Sequence, residues 1–449
     1  MPPTNVRAAY SIRSELPWLT DVDEKRINEK VIPLLRPTTK GEDKRLSLAR
    51  QAIEELVIMP HPEKIDPIDK LRFLFACGFS DTHLRGYATL DELHIESIRN
   101  LISHIERYAN DTSQKRPLVF LMLASPGAGK SHFIKRIAAQ LRQLKVGAIT
   151  YNMAGLRTGE DMIPALDNAR NLKVEDRIPL LFLDEFDSSP AHVAMLLPLL
   201  WEGEITIGQR DLKLGKVIIV LAGSDPSLPG TMDDARSMRQ EVFEGRGKIP
   251  KMIDLLSRIN GGVVTIPPFY DASRKMDRRA DKVCIAAELL RQRFGDGLRE
   301  VPLCLLRFVA LAEFRYGVRS IAHLVSMIPF KEGLQTLKPD DLDLPFEKPA
   351  ALKESSLAYH LLDKDQGYGV EKLWKDCSVN DCQMPVKDED FDRYPRFRSD
   401  GMYQNIIISR VLTRLQNGKT GRRLEVVQRK SPAGSNVRGN VRGGRRRRG

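Results

Sequence analysis

The segment Ala124-Ser-Pro-Gly-Ala-Gly-Lys-Ser131 constrains the fold of this chain more than any other. It follows an unbroken apolar run that begins at Pro117, and it precedes a segment with the composition of a helix. A glycine-rich turn between a strand and a helix lets backbone N–H groups surround an anion. The dipole of the following helix favours negative charge at the same place. The sequence therefore predicts a phosphate-binding loop in an α/β domain.

The side chains of this loop suit a nucleoside triphosphate. Lys130 would reach the β- and γ-phosphates, and the Ser131 hydroxyl would be a Mg²⁺ ligand. The motif has its looser form, because Ala124 stands where the strict pattern has its first glycine. The alternative is a tight strand-to-helix turn that merely contains glycine and lysine. The candidate nucleotide-binding residues are Ser125, Pro126, Gly127, Ala128, Gly129, Lys130 and Ser131.

A second motif, Ile178-Pro-Leu-Leu-Phe-Leu-Asp184-Glu185-Phe-Asp187, places two acidic residues directly after an apolar run. Such a run is typical of a strand buried on both faces of a parallel sheet, and ligands bind at the carboxyl end of these strands. Asp184 is therefore the candidate for the Mg²⁺ shell. Glu185 points differently and is the candidate base for an attacking water. The alternative is a strand that ends in solvated acids.

With these two motifs the chain resembles the AAA+ ATPases over about residues 113–335. Ser224, after the strand 216–223, corresponds to the polar sensor-1 position, where many relatives carry Asn or Thr. Arg258, before the strand 262–266, resembles an arginine finger that acts on a neighbouring subunit, although Arg239 and Arg246 remain alternatives. Arg319 in Tyr316-Gly-Val-Arg-Ser-Ile resembles the sensor-2 arginine of the lid.

Charge is concentrated at the carboxyl end of the chain. Of the net charge of +12, residues 419–449 carry +10, from eleven Lys and Arg and one acid, Glu425. This Arg- and Gly-rich segment has almost nothing to bury, so we expect it to be disordered. It would bind nucleic acid or another polyanion without sequence preference, since it has no aromatic residues for base stacking. A solubilising tail without a partner is the alternative.

The rest of the composition is that of a globular protein without a membrane span. Five scattered cysteines argue against a disulfide framework, and a zinc site at Cys377, Cys382 and His360 lacks a fourth ligand. No apolar run is long enough to cross a bilayer, and residues 1–7 lack the apolar core of a secretory signal. A cytoplasmic location is the resulting expectation.

The chain divides into five predicted segments around the α/β domain. A polar linker at 111–117, a proline-rich connector at 338–349 and the composition of the tail set the outer boundaries, and the resemblance implies the helical lid. A hairpin is expected at 205–215, where a plain loop is the alternative; in several AAA+ clades such a hairpin contacts substrate. The segments are a helical N-terminal region (1–112), the nucleotide-binding domain (113–270), a helical lid (271–335), a small C-terminal domain (336–418) and a disordered basic tail (419–449).

The resemblance implies an ATPase that binds ATP and Mg²⁺ between the subunits of a homo-oligomer, with a hexameric ring as the expectation. It would couple hydrolysis to remodelling of a protein or a protein–nucleic-acid complex. The alternative is a slow nucleotide-gated switch that assembles on nucleic acid through its tail. Polypeptide threading is disfavoured, because the loop 153–159 lacks an aromatic-x-Gly signature.

Overall fold

A five-stranded parallel sheet forms the centre of the molecule, with strand order β2-β3-β6-β1-β7. The computed structural model describes residues 29–35, 44–59, 65–80, 83–224, 228, 252–271, 276–295, 297–342, 361–362 and 382–386. The strands are β1 (Leu118–Leu123), β2 (Val146–Asn152), β3 (Ile178–Asp184), β4 (Glu204–Ile207), β5 (Arg210–Lys213), β6 (Ile218–Gly223), β7 (Gly262–Thr265), β8 (Tyr270–Asp271), β9 (Met276–Asp277), β10 (Glu300–Pro302) and β11 (Gln383–Pro385).

Helices cover both faces of this sheet and build a second, helical body beside it. The helices are α1 (Ile32–Leu35), α2 (Lys44–Ile53), α3 (Pro67–Phe79), α4 (Glu92–Asn110), α5 (Lys130–Gln140), α6 (Ile163–Val174), α7 (Pro190–Glu202), α8 (Met252–Arg258), α9 (Arg279–Phe294), α10 (Leu303–Leu311) and α11 (Val318–Met327). Because each parallel strand returns through a helix, all five strands of the central sheet end at one edge. This confirms the predicted α/β fold class.

The apolar runs form strands because two separate cores need their side chains. Alternate residues of β1 point to opposite faces. Val119 and Leu121 pack with helices α6, α7 and α8, whereas Phe120 and Met122 pack with α4 and α5. Every residue of β1 and of β6 is buried, while the edge strand β2 becomes partly exposed after Gly147. The burial of both faces explains why β1 and β3 have continuous rather than alternating apolar sequences.

The N-terminal helices and the lid share one hydrophobic core. Residues of α2 and α3, among them Ala49 and Phe73, lie in the same buried cluster as Val283 and Leu290 of α9 and as Phe308 of α10. The predicted stripe of α9, which also includes Ala286 and Ala287, is buried in this cluster. Helix α4 belongs instead to the sheet core. The division of the chain into five segments stays a prediction, but its first segment contributes to two cores.

A buried polar group joins the segment before α4 to the lid. Asp281 is fully buried, and its Oδ1 accepts hydrogen bonds from Arg278 Nη2 at 2.9 Å, Leu90 N at 2.8 Å and Thr89 Oγ1 at 3.1 Å. Arg278 also donates to the carbonyl oxygen of Pro267 at 2.6 Å. Burial by itself raises the pKa of Asp281, but the Arg278 guanidinium and these donors hold that pKa below its usual value. The lid is therefore attached through charge as well as apolar contact.

Local differences from the sequence expectations follow from helix capping. Pro67 is the first residue of α3, and its missing N–H has no cost at this position because the first N–H groups of a helix have no partner within the helix. Asp66 caps the same helix. Asp91 caps α4, so the helix begins after Leu90. Helix α6 begins at Ile163, after a 3₁₀ turn at Gly159–Met162.

Two predictions for the carboxyl end lie mostly or entirely outside the described residues. These are the small C-terminal domain at 336–418 and the disordered basic tail at 419–449. The described part contains β11, which pairs antiparallel with β10 and so joins residues 383–385 to the lid. Cys377, His360, Arg239 and Arg246 also lie outside the described residues. Within the described part of the chain, no helix combines the length and the apolar character needed to cross a membrane.

Candidate functional site

The phosphate loop and the acidic motif meet at the carboxyl edge of the sheet. The loop follows β1, Asp184 ends β3, and Ser224 follows β6, the strand that lies between them. The register places Leu123 beside Gly223, and Asp184 beside Ala222. Three consecutive neighbouring strands therefore bring the phosphate loop, Asp184 and Ser224 to one place.

Lys130 and Ser131 lie at the first turn of α5 and face the end of β3. Lys130 Nζ is 3.8 Å from Asp184 Oδ1, and it lies 3.5 Å from the carbonyl oxygen of Ala124. The Ser131 hydroxyl donates to Asp184 Oδ2 at 3.4 Å. A cation and a hydroxyl that precede a carboxylate by more than 50 positions in the sequence thus become its direct neighbours in the fold.

The two acids at the end of β3 have different environments. Burial raises the pKa of Asp184, and the charge of Glu185 adds to this, while Lys130 opposes it. Glu185 adopts the left-handed conformation, with φ 57° and ψ 37°, and its N–H donates to Asp184 Oδ1 at 3.1 Å. A left-handed non-glycine residue is uncommon and mildly strained. The chain therefore leaves the strand direction directly after Asp184.

The donor set of this site fits a magnesium nucleotide. Gly127 and Gly129 have φ of +81° and +92°, which closes the loop in front of the N-terminus of the eleven-residue helix α5. The backbone N–H groups there suit phosphate oxygens. Asp184 and Ser131 offer the two hard oxygen ligands that Mg²⁺ takes from proteins when phosphates and waters supply the rest.

The lid lies directly on the phosphate loop. The N–H of Arg319 donates to the carbonyl oxygen of Gly127 at 3.2 Å, and Arg319 is the second residue of α11. A Cβ atom on Gly127 would lie 2.3 Å from the carbonyl oxygen of Tyr316 and 3.4 Å from Arg319 Cβ. The structure thus places the backbone of Arg319 beside the loop of its own chain, and the sensor-2 role of its side chain stays a prediction.

Gly127→Ala is expected to weaken ATP binding at least about tenfold, because the new methyl group would separate the loop from the lid in addition to straining the backbone. A tenfold loss corresponds to about 1.4 kcal/mol, and a left-handed alanine alone costs about 1–2 kcal/mol. The measurement is equilibrium binding of a fluorescent ATP analogue, together with thermal unfolding.

Gly295→Ala is the matched control for this substitution. Gly295 also has a left-handed φ, +78°, but no atom lies within 4 Å of an added Cβ, and it ends α9 away from the loop. We expect this variant to lose stability and to keep wild-type ATP affinity. Equal affinity for ATP in Gly127→Ala and Gly295→Ala would show that contact between loop and lid does not matter for binding.

Arg258 lies at the opposite end of the sheet. It ends α8, and its Nη1 donates to the carbonyl oxygen of Asp254 at 2.6 Å. Two residues later Asn260 accepts from Val119 N at 2.7 Å and donates to Pro117 O at 3.0 Å, at the start of β1. The length of β1, about 20 Å at 3.3 Å per residue, separates Arg258 from the phosphate loop of its own chain.

The segment before α4 also reaches the site, which the sequence did not indicate. His132, next to Ser131, forms a hydrogen bond of 2.9 Å with the carbonyl oxygen of Gly86. Tyr87 packs edge-on against Phe133, and its hydroxyl is 2.9 Å from His94 Nε2. Burial is the main cause that lowers the pKa of His94 to about 3, and the positive charge of the nearby Arg278 contributes to the same shift. The ring is therefore neutral at pH 7. In the sequence, His94 is one of several scattered histidines, and only the tertiary contact distinguishes it.

Two predicted peripheral elements are present as local structures. The hairpin forms from β4 and β5, with a turn at Gly208 of φ +59°, and its ends pair Glu204 with Lys213. The loop after β2 begins with a 3₁₀ turn at Met153–Gly155. Whether either element contacts a substrate stays a prediction.

Comparisons with known proteins give matches only among solved structures. No family model matches the sequence, and no curated protein matches it. The Saccharomyces cerevisiae Hsp104–ADP complex is 19% identical over 52% of this chain and 44% of its own, with a TM-score of 0.37. NtrX from Brucella abortus with ATP is 19% identical over 57% of each chain, with a TM-score of 0.35. NtrX with ADP is 17% identical over 72% of this chain and 67% of its own, with a TM-score of 0.37. The chain thus spans less than two thirds of the first two of these proteins.

The fold and the motifs define the class of this chain. A parallel sheet carries a phosphate loop after β1 and an Asp-Glu pair after β3, and a helical lid contacts the loop through Arg319. The resemblance to the AAA+ ATPases that the sequence indicates is confirmed at the level of the fold.

Proposed function

We propose that this protein binds and hydrolyses ATP and uses the cycle to remodel a protein or a protein–nucleic-acid complex. The observation that carries the proposal is the meeting of Lys130, Ser131 and Asp184 at the carboxyl edge of the sheet, within 3.8 Å of one another through Asp184. Glu185 follows directly. A solvated surface turn would not require a lysine, a serine and a raised-pKa carboxylate to converge on one half-buried point.

Each residue of this group has a distinct part in hydrolysis. The loop N–H groups and Lys130 bind the β- and γ-phosphates and balance their charge. Ser131 and Asp184 would hold Mg²⁺, which neutralises charge on the β- and γ-phosphate oxygens when bound. Glu185 accepts a proton from the attacking water. The Ser224 hydroxyl hydrogen-bonds a γ-phosphate oxygen or the water, and Arg319 approaches the phosphates from the lid.

Arg258 completes the site from a neighbouring subunit. The length of β1 excludes it from the phosphate loop of its own chain, so any contact with the γ-phosphate needs a second copy. Its guanidinium spreads charge over phosphoryl oxygens. This part of the proposal implies a homo-oligomer, for which we expect a hexameric ring, with ATP at the subunit interfaces.

Lid movement would transmit the nucleotide state to the N-terminal helices. The lid contacts the phosphate loop at Gly127, and it shares a core with α2 and α3. A rotation of the lid on ATP binding would therefore carry these helices as one body. The basic segment 419–449 is proposed to hold the protein near nucleic acid or another polyanion.

The test is ATP turnover with and without single-stranded nucleic acid, measured on the full chain and on a variant that ends at Gly418. Lys130→Ala, which removes the phosphate-binding cation, is the inactive control. Turnover that nucleic acid stimulates only in the full chain would support a nucleic-acid-dependent motor. Turnover indifferent to nucleic acid would point to a protein substrate. Slow turnover with slow ADP release would favour the nucleotide-gated switch, and turnover equal to that of Lys130→Ala would refute hydrolysis.

A further inference from the structure

Asp187 connects two strands of the site, and no role in hydrolysis has yet been assigned to it. It lies two residues after Glu185, in the 3₁₀ turn Phe186–Ser188. Its Oδ2 accepts a hydrogen bond from the N–H of Ser224 at 2.8 Å. Because Ser224 directly follows β6, one carboxylate joins the turn after β3 to the end of the neighbouring strand.

The conformation of Glu185 makes this connection possible. Its left-handed backbone turns the chain away from β3, and the N–H of Ser188 closes the turn on the carbonyl oxygen of Glu185 at 3.1 Å. Phe186 becomes fully buried, and Asp187 reaches back to β6. The position of Glu185 therefore depends on contacts made by the residues that follow it.

Gly223, the last residue of β6, lies where the turn after β3 packs against this strand, and a larger side chain there would clash with that turn. A Cβ on Gly223 would lie 2.9 Å from Asp187 Oδ2, 3.0 Å from Phe186 Cε1 and 2.6 Å from Leu228 Cδ1. Real Cβ atoms do not approach backbone or buried groups so closely. The turn after β3 and the end of β6 are thus packed directly on one another, and the hydrogen bond of Asp187 fixes their relative position.

We propose that Asp187 is a positioning residue for hydrolysis, which holds Ser224 and the Glu185 turn in one arrangement. This inference rests on the proposed function. The hydrogen bond fixes the backbone of Ser224 relative to the turn that contains Glu185, and without it either segment can shift. A displacement of about 1 Å is enough to reduce a rate about 100-fold. The role needs a hydrogen-bond acceptor and does not need a negative charge.

The test compares Asp187→Ala with Asp187→Asn. The carboxamide oxygen of Asn can still accept from Ser224, whereas Ala has no acceptor. We expect kcat to fall at least about tenfold in Asp187→Ala, with KM and ATP affinity within about threefold of wild type. Asp187→Asn should recover to within about threefold of the wild-type kcat. Asp167→Ala, which removes a surface carboxylate of α6 paired with Arg170, is the control and should change neither parameter.

Amide hydrogen exchange at Ser224 tests the connection without hydrolysis. Exchange should accelerate in Asp187→Ala and remain close to wild type in Asp187→Asn. If the wild-type protein binds ATP without turning it over, the proposed hydrolysis is wrong, while exchange still decides whether Asp187 holds Ser224. Wild-type kcat in Asp187→Ala, equal loss in both Asp187 variants, or unchanged Ser224 protection in Asp187→Ala would overturn the inference.

Discussion

Glu185→Gln is expected to bind ATP as tightly as the wild-type protein and to hydrolyse it about 10²- to 10⁴-fold more slowly. The substitution keeps the size of the residue but removes the carboxylate that we propose as the base, and a positioned base contributes about this factor. Lys130, Ser131 and Asp184 are untouched, so binding should persist. Steady-state turnover and equilibrium binding of ATP, measured on the same preparation, separate the two effects.

Glu202→Gln provides the comparison for this experiment. Glu202 is an exposed residue at the end of α7, and the same change of charge there should leave turnover unaltered. Unchanged turnover in Glu185→Gln would reject Glu185 as the base. Loss of binding together with turnover would instead mean that the charge of Glu185 shapes the phosphate loop.

Asp281→Ala is expected to destabilise the protein by about 3–5 kcal/mol. The substitution leaves the buried guanidinium of Arg278 without its counter-ion and the N–H of Leu90 without its acceptor, and removing one member of a buried ion pair has a cost of this size. Chemical denaturation monitored by circular dichroism measures the change. Because the pKa of Asp281 is depressed, its contribution is present above the unfolded pKa near 3.8 and is lost as pH falls through the lower, folded value.

Two further variants serve as controls for the stability of Asp281→Ala. Asp340→Ala removes an exposed carboxylate of the same body and should stay within about 0.5 kcal/mol of wild type. The double variant Arg278→Met/Asp281→Leu removes both charges and should recover part of the loss, because no buried charge remains unpaired. An Asp281→Ala protein as stable as the wild type would show that the junction between the lid and the segment before α4 does not depend on this pair.

The strands of the site were predictable because their sequences leave little choice. The apolar run 178–183 follows polar residues and precedes Asp184 and Glu185, and β3 begins at Ile178 and ends at Asp184. The strand before the phosphate loop, predicted from Pro117, begins at Leu118. Two buried faces require a continuous apolar run, and such a run cannot extend into a glycine turn or into charged residues.

The contacts between distant segments were not predictable in this way. Thr89 and Asp281 are far apart in the chain, and neither stands in a motif. His94 and Tyr87 carry no periodic signal that distinguishes them from solvated residues. The burial of His94 and the partial burial of Tyr87 result from the packing of α4 and the segment before it against α5, which local spacing does not encode.

The sequence by itself determined the phosphate loop, the Asp-Glu strand end and the order of strands and helices, since each depends on neighbours within about ten residues. Tertiary structure alone decided which carboxylate accepts from Ser224, that Arg258 lies far from its own phosphate loop, and that the N-terminal helices share a core with the lid. These properties depend on sheet order and on shape complementarity between segments that lie from 37 to more than a hundred residues apart in the chain. The physical reason is that side-chain packing, unlike helix or strand formation, has no fixed period along the chain.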